Sequence, residues 1–516
     1  MGVDVRYRTV GAFLALLLIT CGYYLIFFNQ SLQAYEDAAM LMRYAQHVAD
    51  GQGMVWNIGE KPIDGATDFL FTLVVAFFIK LGFSLNSSVH LIVMGSHILT
   101  VWLVYWAIIR YHKVSTWVAF ASALYVAVGP AQWYVATYFG TPFFALVAAL
   151  TWVISNEYMR DSRRLWSVAF AFSCLTLGLI RPEGVFLSLF ILAATVYTKG
   201  MRKSKTLIID YVIVFAVLGG LFFLWRWSYF GYPLPNTFYK KGGGHIFING
   251  LENSLRNFAV LTLPFILFFG LALRDRGKMK AAVSALMPLV LFTLIWLFLA
   301  PDMNFMMRFQ YAIMPILMIS WPGMLGGLWI SKRTWPVLAL LFVGLLAGRH
   351  VLFMQHYDLS KPYQDGRYDA ALMLAAYDHN YTMAVTEAGQ LPLYSGWKAI
   401  DTWGPNDQYI THMGYVDGAY LDEYKPQLIM VHANYGPLNG NNQTKEWDKM
   451  VANLVAYARA RNYTLAADYP LYPSDGHLYY VRSDFKDSAE IIAKLRGMRY
   501  MWDSSDEPIK NQASTP

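Results

Sequence analysis

Charged residues are scarce in this sequence, and their scarcity limits the class of protein it can encode. Only 15% of the 516 residues are Asp, Glu, Lys or Arg, whereas 56% are hydrophobic and the mean hydropathy is +0.34. Soluble globular domains average about 25% charged residues. The composition therefore excludes an ordinary soluble protein and indicates a polytopic membrane protein.

Cysteine is also rare, since Cys21 and Cys174 are the only two in the sequence and both lie within apolar runs. This excludes a disulfide framework and a cysteine-based metal site. The formal net charge of +7 comes from basic residues in short clusters between apolar runs. Such clusters are typical of membrane topology signals, so we expect membrane lipids, and no nucleic acid, among the partners.

Long apolar runs are abundant, and about 20 such residues suffice to cross a bilayer as a helix. They predict a mostly α-helical protein of about 11 transmembrane helices. The candidate spans are 10–29, 89–109, 115–130, 141–157, 165–180, 183–198, 207–228, 256–273, 281–299, 310–330 and 334–352. A further run, 69–82, has only 14 residues. It is predicted to be a re-entrant or interfacial helix.

The basic clusters determine the predicted topology. If 69–82 does not cross the membrane, all the clusters fall on one side, as the positive-inside rule requires. They are Arg6/Arg8, Arg110 to Lys113, Arg160 to Arg164, Lys199 to Lys205, Arg274 to Lys280 and Lys332/Arg333. We therefore expect the N-terminus inside, the C-terminus outside, and a signal anchor rather than a cleaved signal peptide.

This topology predicts two domains, and it leaves the unusual polar segments outside. Residues 1–352 form a membrane domain whose first outer loop is 30–88, and residues 353–516 form an extracytoplasmic α/β domain. The expected location is the bacterial cytoplasmic membrane, with the polar segments and the C-terminal domain on the periplasmic side.

The first outer loop contains the adjacent carboxylates Glu36 and Asp37. They come in or just before the first turn of a predicted helix, where the helix dipole favours negative charge, so helix capping alone can explain either of them. Asp64 and Asp68, in the later turn IDGATD, add two more carboxylates to the same loop. Four acidic groups at a membrane boundary favour a functional interpretation.

Two other outer segments combine acidic or amide groups with positive charge. RPEG places Arg181 and Glu183 at the turn of a helical hairpin, where a purely structural ion pair is a strong alternative. FGYPLPNTFYKKGGG contains prolines that oppose a regular helix, followed by Lys240 and Lys241 beside flexible glycines. The lysine pair has an alternative interpretation as a nonspecific binder of lipid phosphates.

Hydrogen-bonding side chains accompany these charges. Asn236 and Tyr239 lie in the same proline-containing segment, and PDMNFMMRFQY places Asp302 and Arg308 on the same outer face. The planar guanidinium of Arg308 can donate two hydrogen bonds to one phosphate.

Carboxylates near the first span and cations near later spans suit transfer of a group from a phosphate leaving group. A carboxylate deprotonates the incoming hydroxyl while Arg and Lys stabilise the departing phosphate. A lipid-linked phosphate would reach this depth of the membrane. The residues by themselves therefore predict a transferase or hydrolase that uses a lipid phosphate on the outer face.

A family resemblance extends this prediction. EDAAMLMRYAQHVADGQGMVWNIGEKPIDGATDFLFTL resembles the first outer loop of the GT-C glycosyltransferases, in particular the branch that contains the mycobacterial arabinofuranosyltransferase AftB. RPEG, PLPNTFYKK, RFQYAIMP and TEAGQLPLYSGWKAIDTWG resemble further blocks of that branch in the same order. The resemblance implies inverting transfer of a sugar, arabinofuranose in that branch, from a polyprenyl-phosphate donor to a glycan, glycolipid or glycoprotein hydroxyl.

The resemblance also suggests roles for individual residues. The acidic pair would supply the base: Asp37 is expected to be essential, and Glu36 is an alternative base or a ligand of a divalent cation, the one cofactor considered. Arg308, Lys240, Lys241 and Arg181 would bind the donor phosphate. Substrate binding is assigned to Asp64, Asp68, Asn236, Tyr239, Glu183 and Asp302.

Two positions depart from the family pattern. The acidic pair is usually Asp-Asp in the family, and here it begins with Glu36. In TYFGTPFFA the family often has Glu two residues before the proline, where this chain has Gly140. Acceptor specificity is therefore expected to differ from that of the relatives.

The C-terminal region is more polar, and we expect it to fold independently of the membrane spans. YTMAV, KAIDT and QLIMVHA are predicted strands, and 445–461 is a predicted helix. Asp401 and His432 end strands, and a lone histidine there favours a structural role. The tail after about residue 503 is predicted to be disordered.

The main alternative to a transferase is a transporter or flippase of a lipid-linked sugar. That function predicts charged groups and proton relays deep within the spans. The interiors of the predicted spans are almost free of such residues, which favours the enzyme.

Overall fold

The structure, a computed structural model, describes residues 3–325, 335–360, 366–433, 445–472 and 475–498. Within these residues, seventeen α-helices precede the C-terminal region, and a helix lies within each of the predicted spans. The helices are α1 (Val3–Phe27), α2 (Glu36–Ala49), α3 (Phe69–Lys80), α4 (Leu85–Tyr111), α5 (Thr116–Ala127), α6 (Ala131–Ala136), α7 (Thr141–Arg160), α8 (Arg164–Ile180), α9 (Glu183–Lys199), α10 (Lys205–Val214), α11 (Gly220–Phe230), α12 (Asn236–Lys240), α13 (Ile248–Thr262), α14 (Ile266–Ala272), α15 (Met279–Leu294), α16 (Ile313–Ser320) and α17 (Trp335–His356). The tail after residue 503 and the basic pair Lys332/Arg333 lie outside the described residues.

Six helical stretches of the described residues are long and apolar enough to cross a membrane. They are Thr9–Phe27, Leu85–Tyr111, Thr116–Ala136, Met201–Phe230, Met279–Leu297 and Pro336–His356. The pair α13 and α14, bent by 87°, would make a seventh. The protein is therefore a multi-pass membrane protein, and the number of eleven crossings stays a prediction. Helix α3, with 12 residues, is among the shorter apolar helices.

Helix α2 follows the apolar spacing of its sequence. It begins at Glu36, with both acidic residues in its first turn, and buries one face that includes Ala38, Met42 and Ala45. Gly51, just beyond its end, has a φ of 79°, a conformation that glycine adopts without strain. The burial of this amphipathic helix determines which way the acidic turn points.

The C-terminal region is an α/β layer built on one sheet. Its elements are α18 (Arg367–Leu374), β1 (Thr382–Val385), α19 (Gln390–Ser395), β2 (Lys398–Asp401), α20 (Gln408–Met413), α21 (Gly418–Tyr424), β3 (Leu428–Ala433), α22 (Lys445–Ala460), β4 (Tyr463–Tyr472), β5 (Asp475–Arg482) and α23 (Ser488–Gly497). The strand order is β2-β1-β3-β5-β4, with β1 parallel to β2 and β3 and with β5 antiparallel to β3 and β4. The three predicted strands and the predicted helix are confirmed, whereas the β4–β5 hairpin is an addition.

Alternate residues of the central strands enter different apolar cores. Met383 and Val385 belong to the core that extends into the membrane helices, whereas Ala384 belongs to a second core under α20 to α22. This is the alternation expected of a strand that is buried on both faces. The sheet is thus packed on one side against the membrane domain.

The first outer loop is hydrogen-bonded to the α/β layer through buried polar groups. Arg43 of α2 donates to the carbonyl oxygens of Pro392 and of Trp397, the latter at 2.9 Å. The indole of Trp56 donates to the carbonyl oxygen of Ala399 at 2.8 Å. The position of α2 is therefore fixed by the C-terminal region as well as by the membrane helices.

Candidate active site

A cavity of about 960 Å³ lies between the membrane helices and the α/β layer. Its volume falls within the range of sites that enclose small molecules. Seven of the residues predicted from sequence line it, contributed by four separate segments of the chain. They are Glu36, Asp37, Asp68, Arg181, Glu183, Lys241 and Arg308.

Asp37 and Arg308 form an ion pair in the wall of this cavity. The Asp37 side chain is 23% exposed and that of Arg308 is 8% exposed. The guanidinium stacks on Phe139, with its central carbon 4.1 Å from the ring centre, and its Nε is buried with no hydrogen-bond partner among the described residues. Arg308 is therefore held rigidly and retains a donor for a further acceptor.

Glu36, one residue earlier, has different surroundings. One carboxylate oxygen accepts hydrogen bonds from the backbone amides of Gly389 at 2.7 Å and Gln390 at 3.1 Å. The other lies 3.0 Å from Nη1 of Arg367. All three partners belong to the α/β layer, so Glu36 ties the start of α2 to that layer.

A second group of charges is built on Arg181. Its guanidinium lies 2.9 Å from Asp68 and 2.6 Å from Glu183. Burial by itself would lower the pKa of Arg181, but the two carboxylates raise it above its ordinary value. Burial raises the pKa of Asp68, against the opposing effect of Arg181, and both Asp37 and Arg308 also act on it. The Arg181–Glu183 pair of the structural interpretation is present, and it extends to the first outer loop.

Asp64 and Asn236 lie beside the cavity without lining it. The Asp64 carboxylate is 2.6 Å from Arg226, a cavity residue of α11, and burial raises its pKa. The backbone amide of Asn236 donates to the carbonyl oxygen of Asp64 at 3.1 Å. These two predicted substrate-binding residues therefore lie one layer behind the cavity surface. They link the segment of Asn236 to Arg226, which does line the cavity.

The two adjacent lysines point in different directions. Lys241 lines the cavity, its Nζ donates to the backbone carbonyl of Asp302 at 3.1 Å, and burial lowers its pKa. Lys240 instead donates to the carbonyl oxygen of Gly414 and lies 4.5 Å from the ring centre of Trp403.

Tyr239 and Asp302 are also absent from the cavity lining. Tyr239 packs near His412, with ring centres 5.0 Å apart. Asp302 contributes its backbone carbonyl to the hydrogen bond with Lys241. Like Asp64 and Asn236, these two residues and Lys240 are predicted site residues that do not line the cavity.

Gly140 has a steric reason to lack a side chain. A Cβ there would lie 2.9 Å from the ring of Phe71 and 3.1 Å from a carboxylate oxygen of Asp68. A glutamate at this position would therefore compete with Asp68 for space. The family pattern has Glu where this chain has Gly140, and here the Asp68 carboxylate of the first outer loop lies next to that position.

The α/β layer places at the cavity several polar residues to which the sequence assigned no role in the site. Arg367, Glu387 and His432 line it, and Asp401, also in its wall, accepts backbone hydrogen bonds from Gly404 and Asn406. Glu387 could have been proposed from sequence, because it lies in TEAG, at the start of one of the blocks that resemble the family. Arg367 stands in no such block.

Known proteins match the chain through its fold more than through its sequence. No curated protein matches it, and residues 357–485 match one family model, described as a domain of unknown function (DUF8728). The crystal structure of ArnT from Cupriavidus metallidurans in the apo state superposes with a TM-score of 0.59 and 14% identity, over 92% of this chain and 98% of that one. The chain has the GT-C fold.

Two further structures agree with the GT-C fold. ArnT bound to undecaprenyl phosphate superposes with a TM-score of 0.57 and 12% identity, over 90% of this chain and 97% of that one. The Archaeoglobus fulgidus oligosaccharyltransferase tethered with an acceptor peptide gives a TM-score of 0.53 and 11% identity, over 93% of this chain and 74% of that one. The predicted GT-C architecture, membrane helices followed by an α/β layer, is therefore confirmed.

Proposed function

We propose that this protein is an inverting GT-C glycosyltransferase. It moves a sugar from a polyprenyl-phosphate donor to an acceptor hydroxyl on the outer face of the bacterial cytoplasmic membrane. The observation that supports this function is the Asp37–Arg308 pair, which places a carboxylate and a positioned cation together in the wall of one cavity.

Asp37 is the catalytic base in this proposal. Its carboxylate lies at the cavity and is more exposed than that of Glu36, which is bound by two backbone amides and Arg367. A base must reach the proton that it removes. Glu36 is therefore a positioning residue, which leaves Asp37 as the base of the acidic pair.

The reaction is a single displacement. Asp37 accepts the proton of the acceptor hydroxyl as its oxygen forms a bond to the anomeric carbon of the sugar. The bond between that carbon and the phosphate oxygen breaks, and polyprenyl phosphate leaves with the electron pair. One displacement inverts the anomeric configuration.

Three cations can hold the donor phosphate. Arg308, Arg181 and Lys241 line the cavity, and the buried Nε of Arg308 has no partner among the described residues. A phosphate oxygen would satisfy this donor and stabilise the charge that develops on the leaving group. The ArnT structure with undecaprenyl phosphate agrees with such a donor. Lys240, directed elsewhere, is no longer assigned to the phosphate.

No step of this mechanism is assigned to a divalent cation. The carboxylate of Glu36, the predicted ligand, is already held by amides and a guanidinium. Among the described residues, the one cluster of three or more side chains with metal-ligand geometry does not include Asp37 or Asp68. The mechanism is therefore written with protein groups alone.

The resemblance to the AftB branch suggests arabinofuranose as the sugar. The acceptor is a glycan, glycolipid or glycoprotein, and the space beside Gly140 is occupied differently from the family pattern. We therefore expect an acceptor that differs from those of the relatives.

A transfer assay in nanodiscs tests the function. Purified protein is given decaprenyl-phosphate arabinofuranose and a synthetic arabinofuranosyl acceptor, and the product is analysed by mass spectrometry. Wild type and the Asp50→Asn control, altered at the exposed end of α2, should form product, and Asp37→Asn should not. Equal product from Asp37→Asn would remove Asp37 from the role of base. No donor binding by wild type would refute the sugar or lipid assignment.

A further inference from the structure

Three residues with side chains that commonly bind metals meet at neighbouring strands of the α/β layer, outside the acidic loop. Glu387 follows β1, His432 is in β3 and His477 is in β5. The strand order β1-β3-β5 makes these strands neighbours, and His432 and His477 are directly opposite in the antiparallel register. Residues so paired project to the same face. The two imidazole ring centres are accordingly 4.3 Å apart.

The Glu387 carboxylate lies against both rings. Its Oε2 is 3.1 Å from Nδ1 of His432 and 2.9 Å from Nε2 of His477. One donor atom from each of the three residues falls within 4.8 Å of the others. Donor atoms bound to one zinc ion at about 2.1 Å must themselves lie within about 4 Å of one another. A small inward or outward adjustment of the rings would therefore accommodate an ion.

We propose that Glu387, His432 and His477 bind one divalent transition-metal ion, with Zn²⁺ the best match to the donor set. Two imidazoles and one carboxylate are a common zinc ligand set in which a fourth position is open. Glu387 and His432 line the cavity, whereas His477 is fully buried behind them. The open position therefore faces the cavity, where water or a substrate hydroxyl can complete the coordination.

The neighbouring charges are compatible with a cation. Nη1 of Arg367 lies 2.7 Å from Oε2 of Glu387 and 3.0 Å from Glu36. One guanidinium thus faces two carboxylates, so the formal charge of the three side chains is negative. Arg367 contacts the same oxygen, Oε2, that faces the two histidines, and it would orient the carboxylate ligand, as hydrogen-bonded outer partners commonly do. It would also connect the ion to the positioning residue next to Asp37.

Metal content decides the proposal independently of transferase activity. Full-length protein, freed of its affinity tag and treated with a chelator, is loaded with Zn²⁺, and bound zinc is counted by mass spectrometry and by competition with a chromogenic chelator. We expect about one zinc per chain in wild type. His477→Gln and Glu387→Gln should bind at least 100-fold more weakly, because each removes a ligand.

His379→Gln removes an exposed histidine that does not line the cavity and should bind like wild type. Added zinc should raise the Tm of wild type and leave that of His477→Gln unchanged, since ligand binding stabilises the folded state. Absence of bound zinc in folded wild type would overturn the proposal even if the ligand variants fail to fold. Unchanged zinc affinity in both ligand variants would overturn it as well, because the ion would lie elsewhere.

Discussion

Glu36 and Asp37 are neighbours in the first turn of α2, yet they face two different regions of the molecule. Glu36 faces the α/β layer, where it accepts hydrogen bonds from two backbone amides and pairs with Arg367. Asp37 faces the cavity and pairs with Arg308, which stacks on an aromatic ring of the membrane domain. The difference teaches that adjacent carboxylates in one motif can have separate roles. In the proposed mechanism Glu36 positions the first outer loop, and Asp37 acts as the base.

The largest effect should separate the two carboxylates directly. Asp37→Asn should lower kcat by about 10²- to 10⁴-fold, because a positioned base contributes about this much. Glu36→Gln should cost about tenfold and leave the pH dependence of the remaining activity unchanged, because the base is intact. The measurement is the initial rate of transfer across pH in nanodiscs. A loss in Glu36→Gln as large as that in Asp37→Asn, with a changed pH profile, would reverse the assignment.

The cation that pairs with Asp37 should have the next largest effect. Arg308→Lys keeps the positive charge but loses the planar fork and its stacking on Phe139, so donor binding should weaken by about 10- to 100-fold. Arg256→Lys, in an exposed ion pair of α13, is the matched control and should behave like wild type. The dissociation constant for polyprenyl phosphate measures the effect. Unchanged affinity in Arg308→Lys would assign the phosphate to Arg181 or Lys241.

The comparison also shows what the sequence could predict. Asp37, Arg181 and Arg308 could be selected because the basic clusters predict which segments share one side of the membrane, and these three residues lie in polar segments beside predicted spans. Lys240 and Tyr239 also lie in a predicted outer segment, but they contact Gly414 and His412 and do not line the cavity. Side-chain direction in a short helix depends on tertiary packing, which the spacing of residues does not reveal.

The α/β layer was harder to predict for a related reason. Its buried strands could be recognised as apolar runs, but Glu387, His432 and His477 meet through strand order and register. A histidine at a strand end gives no sign of its partner, so the structural interpretation of His432 alone was reasonable. The partner of Glu36, Arg367, is likewise more than 300 residues away in sequence.

Replacing Gly389, which lies where the α/β layer contacts Glu36, should have an intermediate effect on stability and on kcat. A Cβ on Gly389 would overlap the backbone and carboxylate of Glu36, so Gly389→Ala should push the acidic turn away from the α/β layer. We expect a loss of about 1 to 3 kcal/mol in stability, as for other overpacked sites, and about tenfold in kcat. Gly418→Ala is the control, since its Cβ would make an ordinary 3.6 Å contact with Tyr457. Thermal unfolding and transfer rates of both variants measure the effect, and equal values would argue against tight docking of Glu36.

The smallest expected effect comes from Asp407 in the α/β layer. Its titration should change the stability of the protein and leave the transfer rate unchanged. Asp407 caps α20 by accepting from the backbone amide of Ile410 at 2.9 Å and also accepts from the hydroxyl of Tyr420 at 2.7 Å. Burial raises its pKa to about 6, from an ordinary value of 3.8. The folded state therefore binds a proton more tightly than the unfolded state between these two pH values. Stability from this group is greatest at low pH and is lost as the pH rises through about 6.

A shift of about two pH units corresponds to about 3 kcal/mol at most, or a change of several degrees in Tm. Asp407→Asn keeps the cap, because Asn is a good N-cap residue, but removes the titration. The wild-type Tm should thus fall between pH 3.8 and about pH 6 relative to that of the variant, as followed by tryptophan fluorescence of the full chain in detergent. Parallel Tm curves for the two proteins would show that Asp407 titrates normally. Because Asp407 does not line the cavity, the transfer rate of the variant should match that of wild type.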